Sequence, residues 1–292
     1  MTLRWRDLRD EAVGRLAAAG ADDPVQEVRW LIERASGRTA AEQASALDEP
    51  PTQREVHHFD DMVARRVAGE PLQYALGRWQ FRTLDLLVDR RVLIPRPETE
   101  LVAGFAIDAL ARLGRRGLAV DLGTGSGAIA LSLAAELWPR VEVWATDASP
   151  DAVAVARANL AGLGRRATEV RLVEGSWFDA LPDELRGRID VVVSNPPYVA
   201  TTDLLPAAVA DWEPAAALLS GPDGLDDLRT IIGGAPEWLT SEGVLVVEIG
   251  ETQGAAVRDL ALAAAFTSVT IRQDLAGRDR ALVATGTTRS SP

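Results

Sequence analysis

The stretch of sequence that decides the fold is residues 120–129, Val-Asp-Leu-Gly-Thr-Gly-Ser-Gly-Ala-Ile. It predicts a strand that ends in a glycine-rich turn, from which a helix begins. Glycine permits a positive φ and has no Cβ, so the polar end of a ligand can approach N–H groups at the helix N-terminus. Gly123, Gly125 and Ala128 also satisfy the dinucleotide pattern G-x-G-x-x-G/A. The negative charge of Asp121 would repel a pyrophosphate and favours a cationic amino group. The alternative to a ligand site is a tight strand-to-helix turn that binds nothing.

Apolar, strand-like runs recur along the chain after residue 117, and stretches rich in alanine and leucine separate them. The predicted strands are Leu118–Leu122, Val141–Thr146, Val170–Val173, Ile189–Val193 and Val244–Ile249. Strands that alternate with helices predict an α/β fold with a parallel, doubly wound sheet. The last two runs, Ser268–Arg272 and Arg280–Ala284, lie too close together for a helical crossover. They predict an antiparallel hairpin at the edge of the sheet.

The pattern divides the chain into four parts. Residues 1–75 contain amphipathic segments of helical period and predict a small helical bundle. Residues 76–93 predict a linker or hairpin, because the pattern from Leu84 to Leu93 alternates. Residues 94–287 predict the α/β domain, and the polar residues 288–292 predict a frayed tail.

Composition excludes several classes of protein. The chain has 292 residues and no cysteine, which excludes disulfides, cysteine-ligated zinc, iron–sulfur clusters and a thiol nucleophile. Its net charge of −12 argues against a protein that draws its affinity from duplex nucleic acid. We find no secretory signal, no membrane span and no cluster of metal ligands, so we expect a cytoplasmic protein without a metal site.

Asp147 ends the second predicted strand, 24 positions after Gly123. A carboxylate at this spacing from a glycine turn can accept hydrogen bonds from both hydroxyls of a ribose. The alternative is a helix cap, because Asp147 or Ser149 precedes Pro150. Together the two motifs predict an adenosine-containing ligand and leave NAD and S-adenosylmethionine open.

A third motif distinguishes between these two ligands. Residues 191–198 read Val-Val-Val-Ser-Asn-Pro-Pro-Tyr, so Asn195 follows an apolar strand at the end where open α/β sheets bind ligands. Pro196 and Pro197 stiffen the turn and leave carbonyl groups free to accept from an NH₂ group. Tyr198 offers a flat ring. The motif therefore predicts a site for a planar amide or an exocyclic amine, with a rigid capped loop as the alternative.

These motifs together resemble the class I S-adenosylmethionine-dependent methyltransferases that methylate planar nitrogens. Within that class the chain, over about residues 70 to 285, is similar to the HemK/PrmC family, the N5-glutamine methyltransferases of peptide-chain release factors. Further matching segments are Arg91–Val102, Gly175–Phe178, Glu213-Pro214, Gly221–Leu225 and Glu248–Gly250. Within the first of these, Pro95–Glu98 is interpreted as a rigid joint between domains in preference to a wall of the site.

The resemblance implies a doubly wound seven-stranded sheet with an antiparallel edge hairpin, preceded by a helical domain that contacts the substrate protein. It implies methyl transfer from S-adenosylmethionine to the glutamine of the Gly-Gly-Gln motif in a release factor, by a monomer without nucleic acid or membrane partners. The implied cofactor residues are Asp121, Gly123, Thr124, Gly125, Ser126, Gly127, Asp147, Trp177 and Asn195. The implied substrate residues are Asn195, Pro196, Pro197 and Tyr198, of which Asn195, Pro196 and Tyr198 are expected to act in catalysis.

Other functions remain open at this point. Asn195–Tyr198 would serve a flipped base equally well, so a DNA adenine-N6 methyltransferase is one alternative. A glutamine methyltransferase of a ribosomal protein is another. A NAD-dependent oxidoreductase fits only the glycine turn, and a non-enzymatic adaptor fits only the helical residues. Trp177, expected beside the adenine, could instead be an aromatic residue of the core.

Overall fold

The computed structural model of the chain describes residues 3–287, which form two compact units. The first unit ends at Arg78 and also includes Pro206–Trp212, and the second contains Trp79–Leu205 and the chain from Glu213 onward. The predicted tail, residues 288–292, lies outside the described residues. None of the helices found between residues 3 and 287 has both the length and the apolar character needed to cross a membrane.

The first unit is helical, as its amphipathic pattern predicts. Its first five helices are α1 (Trp5–Ala18), α2 (Pro24–Ser36), α3 (Ala40–Ala46), α4 (Gln53–Val67) and α5 (Leu72–Leu76). Trp5 and Phe59 meet edge to face in its core, with ring centroids 5.9 Å apart. Thr39 and Thr52 begin α3 and α4 with capping boxes, because each hydroxyl accepts from the N–H of a glutamate three residues later. The amphipathic pattern did not reveal the two short helices, α3 and α5.

A two-stranded sheet opens the chain of the second unit. It pairs β1 (Arg78–Phe81) with β2 (Leu84–Leu87). The predicted strand or hairpin within Leu84–Leu93 is therefore a strand only as far as Leu87.

A seven-stranded sheet forms the centre of the second unit. Its strands are β3 (Gly117–Leu122), β4 (Val141–Asp147), β5 (Val170–Glu174), β6 (Ile189–Ser194), β7 (Leu239–Glu248), β8 (Phe266–Gln273) and β9 (Asp279–Thr287). The spatial order is β5-β4-β3-β6-β7-β9-β8, in which the first five strands run parallel and β9 is antiparallel to both β7 and β8. The predicted doubly wound sheet with its edge hairpin is confirmed.

Helices cover both faces of this sheet. In chain order they are α6 (Pro97–Ala111), α7 (Ala128–Leu137), α8 (Pro150–Ala161), α10 (Asp226–Trp238) and α11 (Gly254–Ala263), with the short α9 (Ala207–Ala210) belonging to the first unit. The apolar side chains form one core cluster that includes α6 and α7 and a second that includes α10 and α11. β6 is covered on both faces and buried at every residue, which explains the apolar run Val191–Val193 at its centre.

The order of strands fixes where a ligand can bind. The chain leaves β3 toward β4 on one side, and it leaves β6 toward β7 on the other. At such a switch point the two loops diverge and open a crevice beyond the carboxyl ends of the strands. The loops that leave β3 and β6 are the glycine turn and the Asn195–Tyr198 segment.

Candidate functional site

A cavity of about 410 Å³ lies at this switch point. Eight of the predicted site residues line it: Gly123, Thr124, Gly125, Ser126, Asp147, Trp177, Asn195 and Pro197. Four others, all within the described chain, do not: Asp121, Gly127, Pro196 and Tyr198. The structure therefore brings the glycine turn, the acid at the end of β4 and part of the Asn-Pro-Pro-Tyr segment together around one cavity.

The glycine turn has the backbone that its sequence predicts. Gly123, Gly125 and Gly127 have φ values of 71°, 56° and 86°, a region that other residues seldom adopt. A Cβ on Gly123 would lie 3.0 Å from the Trp177 ring, and one on Gly127 would lie 2.9 Å from the Leu131 side chain. The last glycine thus packs against the helix that it begins, rather than lining the cavity.

Asp121 is fully buried beneath this turn. One carboxylate oxygen accepts from the Thr124 hydroxyl at 2.6 Å and from the Ala130 N–H at 3.0 Å. Among the described residues none donates to the other oxygen. Burial raises the pKa of the Asp121 carboxyl to about 7. Asp121 therefore stabilises the turn through these two hydrogen bonds, a role that the sequence did not indicate. Its second oxygen has no donor within residues 3–287, and a cationic amino group could supply one.

Asp147 faces the cavity at the end of β4. Its carboxylate oxygens accept from the N–H groups of Gly125 and Ser149, at 2.8 and 2.9 Å. The helix cap is Ser149, whose hydroxyl accepts from the Ala152 N–H at 3.2 Å. Each oxygen of Asp147 retains a lone pair, so both can accept from a second donor such as a ribose hydroxyl. Burial raises the pKa of Asp147 above its ordinary value.

Trp177 is half-buried and lines the cavity against Gly123. Its φ of 43° is unusual for a residue with a bulky side chain, and the Thr146 hydroxyl donates to its carbonyl at 3.3 Å. The same ring also packs against the core cluster of α10 and α11. Trp177 therefore lines the cavity and also packs against the edge of the core.

The Asn195 side chain is positioned by two residues, Thr99 and Glu248, that the sequence did not indicate as site residues. Its Nδ2 donates to the Thr99 Oγ1 at 3.1 Å, and the Thr99 hydroxyl donates to the Glu248 Oε2 at 2.6 Å. The Tyr198 hydroxyl donates to the other oxygen of Glu248 at 3.2 Å. Thr99 lies in the first turn of α6, and Glu248 ends β7. Both lie in segments that carry the family resemblance, which is the signal that could have found them.

The interpretation of Pro95–Glu98 as a joint rather than a site wall is wrong for part of that segment. Pro95 and the neighbouring Thr99 both line the cavity. A buried carboxylate, Glu213, fixes the segment by accepting from the Ile94 N–H at 3.1 Å and from the Arg96 guanidinium. Within Pro95–Glu98, Pro95 therefore forms part of the wall of the cavity, whereas the other three residues do not line it.

Tyr198 does not line the cavity, and both its side-chain hydroxyl and its backbone carbonyl are hydrogen-bonded. Its carbonyl accepts from the Gln253 Nε2 at 3.0 Å, and Gln253 also donates to the Gly224 carbonyl at 3.1 Å. A Cβ on Gly224 would lie 2.4 Å from the Tyr198 carbonyl oxygen. Burial, together with the nearby Glu248, raises the pKa of the Tyr198 phenol above its ordinary value. The loop after Asn195 is thus clamped in place.

The Asn159 side chain ties the glycine turn to the two-stranded sheet. Its Nδ2 donates to the carbonyls of Ser126 and Leu87, at 2.8 and 3.0 Å, and its Oδ1 accepts from the Leu87 N–H at 2.7 Å. No group of three or more histidine, cysteine or acidic side chains within residues 3–287 is placed to hold a metal ion.

Family models match two parts of the chain. One, described as the PrmC N-terminal domain, matches residues 7–77, and one described as the methyltransferase small domain matches residues 103–219. A protein of Moorella thermoacetica named release factor glutamine methyltransferase is 43% identical over 288 residues, which cover 97% of this chain and 98% of that protein. One of the same name from Geobacter sulfurreducens is 39% identical and covers 94% of both chains.

Solved structures agree with the fold. A methyltransferase from Pyrococcus furiosus has a TM-score of 0.50 at 20% identity, covering 76% of this chain and 96% of that one. A 16S rRNA methyltransferase of T. thermophilus in complex with AdoMet and guanosine has a TM-score of 0.51 at 18% identity, covering 72% of this chain and 49% of that one. At these identities the likeness shows the fold alone.

The burial of Asp121 predicts a pH-dependent contribution to stability. The pKa of its carboxyl is about 7 when folded, against an ordinary value of 3.8. Between these two pH values the folded state binds more protons than the unfolded state. The contribution of Asp121 to the free energy of unfolding is therefore fully present below pH 3.8 and is lost as the pH rises through about 7. Asp121→Asn removes the titration. Chemical unfolding from pH 5 to 8 should therefore show the stability of the wild type falling relative to that of Asp121→Asn, and a constant difference would contradict the assignment.

Proposed function

This chain belongs to the family of release factor glutamine methyltransferases, and on that premise we propose that it methylates the side-chain nitrogen, N5, of a glutamine in a peptide-chain release factor. The glutamine is that of the Gly-Gly-Gln motif. The observation that carries the proposal is the single cavity at the switch point, which the glycine turn, Asp147 and Asn195 line together. A donor of methyl groups and an acceptor amide can meet there.

The cofactor is S-adenosylmethionine, which supplies an electrophilic methyl group on a sulfonium centre when bound. The cavity residues fit this molecule. Asp147 offers two acceptor oxygens for ribose hydroxyls, and Trp177 offers an aromatic wall for the adenine. The glycine turn offers close approach to its backbone. Asp121 lies buried beneath the turn and does not line the cavity, and the negative charge of its carboxylate favours a cationic amino group near the turn. We assign these residues, with Thr124, Ser126 and Gly127, to cofactor binding.

The chemistry at the substrate is limited by the amide nitrogen, whose lone pair is delocalised. We assign Asn195 Oδ1 and the Pro196 carbonyl to accept hydrogen bonds from the NH₂ group, with Pro197 and Tyr198 shaping the loop that carries them. S-adenosylmethionine would supply the methyl group to this nitrogen, its sulfur would keep the electron pair of the broken carbon–sulfur bond, and the nitrogen would release one proton to water. Orientation of this kind can lower a barrier by ~7–11 kcal/mol.

The first unit is proposed to contact the release factor, since the model described as the PrmC N-terminal domain matches residues 7–77. Residues 1–75 are then the substrate-binding domain, and residues 94–287 are the catalytic domain.

We place the reaction in the cytoplasm, where release factors act on ribosomes. We also expect the protein to be a monomer, which gel filtration with light scattering tests.

The proposal is tested by transfer of labelled methyl from S-adenosylmethionine to a purified release factor. A release factor whose motif reads Gly-Gly-Ala and a duplex DNA serve as controls. We expect label on the unaltered release factor alone, because the net charge of −12 disfavours duplex binding. Label on the DNA, or on neither, would overturn the proposed substrate.

Substitution of Asn195 should lower kcat much more than it lowers cofactor affinity. Asn195→Ala removes the acceptor for the substrate NH₂ group, and Asn195→Asp places a second acceptor opposite the Thr99 hydroxyl oxygen. We expect kcat to fall about 10²–10³-fold in each, the usual effect of removing one preorganised hydrogen-bonding group. Steady-state kinetics and calorimetric titration measure the two quantities. A variant that keeps most of its turnover would exclude Asn195 from catalysis.

Asp147→Ala should weaken the binding of S-adenosylmethionine by about tenfold or more, because it removes acceptors for charge-assisted hydrogen bonds. The matched control is Asp151→Ala, which removes an exposed carboxylate four residues later in the first turn of α8. Isothermal titration calorimetry measures both variants. Equal affinities in the two would remove Asp147 from the cofactor site.

A further inference from the structure

We propose that Thr99 and Glu248 are positioning residues that make the site specific for a carboxamide over a carboxylate, by fixing which end of the Asn195 side chain faces the substrate. The inference rests on the proposed function, because it takes the side chain of glutamine as the group that enters the cavity. Neither residue is needed to touch the substrate in this role.

The three side chains form a continuous chain of hydrogen bonds behind the cavity. Asn195 Nδ2 lies 3.1 Å from Thr99 Oγ1, which lies 2.6 Å from Glu248 Oε2. Thr99 and Glu248 are almost fully buried, at 3% and 1% exposure, so water does not readily replace these bonds. Asn195 and Thr99 line the cavity, whereas Glu248 lies behind them. The chain therefore connects a buried carboxylate to the amide that would meet the substrate.

The direction of every bond in this chain follows from Glu248. An ionised carboxylate only accepts hydrogen bonds, so the Thr99 hydroxyl must donate its one proton to it. Thr99 Oγ1 then presents only lone pairs to Asn195, and only the NH₂ end of the Asn195 amide can face it. The Oδ1 end is left to face the cavity.

Several groups act on the charge of Glu248. Burial raises its pKa to about 7, whereas the hydrogen bonds from Thr99 and Tyr198 and the positive charge of Arg280 favour the ionised form. Arg280 lies on β9, and Glu98, whose negative charge raises the pKa, lies in α6. Assays at pH 8 therefore examine the site with Glu248 largely ionised.

The consequence is selectivity between two side chains of nearly the same shape. An acceptor oxygen facing the cavity binds the NH₂ group of glutamine and repels the carboxylate of glutamate. An Asn195 side chain that is free to turn over could instead present its NH₂ group and bind the carboxylate. A site built in this way rejects a glutamate in the substrate position even though the volume of the side chain fits.

The test compares two full-length release factors at pH 8: one with the natural Gly-Gly-Gln motif as substrate, and one with Gly-Gly-Glu as competitor. The measured quantity is the inhibition constant of the competitor divided by the KM of the substrate. Thr99→Val keeps the shape of the side chain but removes the hydroxyl. We expect the ratio to fall by about tenfold or more, the effect of gaining one hydrogen bond to a charged group.

Three further variants separate positioning from a general loss of structure. Thr99→Ser retains a hydroxyl and should restore the ratio of the wild type. Ser132→Ala removes another buried hydroxyl, which donates to the Ala128 carbonyl in α7, and should leave the ratio unchanged. Glu248→Gln keeps the shape and adds a donor that can reverse the chain, so the ratio should also fall. If the melting temperature of Thr99→Val shows that this variant does not fold, Glu248→Gln provides the test instead.

The outcomes separate this inference from the function on which it rests. If the wild type methylates the release factor but folded Thr99→Val or Glu248→Gln keeps the ratio of the wild type, the positioning role is overturned and the proposed function stands. If the wild type transfers no methyl group to the release factor, the proposed function fails, and the inference fails with it. A lowered ratio that Thr99→Ser restores supports both.

Discussion

One hydrogen bond joins the ends of the two strands on which the site depends: the Ser194 hydroxyl donates to the Leu122 carbonyl at 2.7 Å. These residues are register partners in β3 and β6. Because both are fully buried, the bond is protected from water and holds the two carboxyl ends level with each other. The glycine turn starts after Leu122 and the Asn-Pro-Pro-Tyr segment after Ser194. The residues that we propose for the cofactor and those that we propose for the substrate therefore start from neighbouring strand ends and line one cavity.

Two buried carboxylates then hold these loops in the shapes they need. Asp121 fastens the glycine turn through Thr124 and Ala130, and Glu248 orders Asn195 through Thr99. Burial raises the pKa of each to about 7, which means that ionising either one in the folded protein opposes stability. The hydrogen bonds of these two carboxylates therefore shape the loops without a gain in stability from their ionised form.

The sequence predicts the sheet because each parallel strand is an apolar run and the edge hairpin has too short a turn for a helix. It also predicts which loops meet, since both follow strands at the switch point. It did not reveal α3 and α5, which are only seven and five residues long. It could not show that Thr99 contacts Asn195 and Glu248, because these partners are 96 and 149 positions away. Local patterns carry no signal for such pairs, so Pro95–Glu98 looked like a joint. The roles of the individual site residues remain predictions.

In the proposed function, the acceptor end of Asn195 faces the side-chain nitrogen of a glutamine beside the cofactor. A crystal structure of the protein with S-adenosylhomocysteine and a release factor tests it most directly. We predict the glutamine nitrogen within hydrogen-bond distance of Asn195 Oδ1 and on the open side of the cofactor sulfur, with Asn195 Nδ2 still bound to Thr99. A glutamine whose carbonyl oxygen faces Asn195, or one bound outside the cavity, would contradict the account.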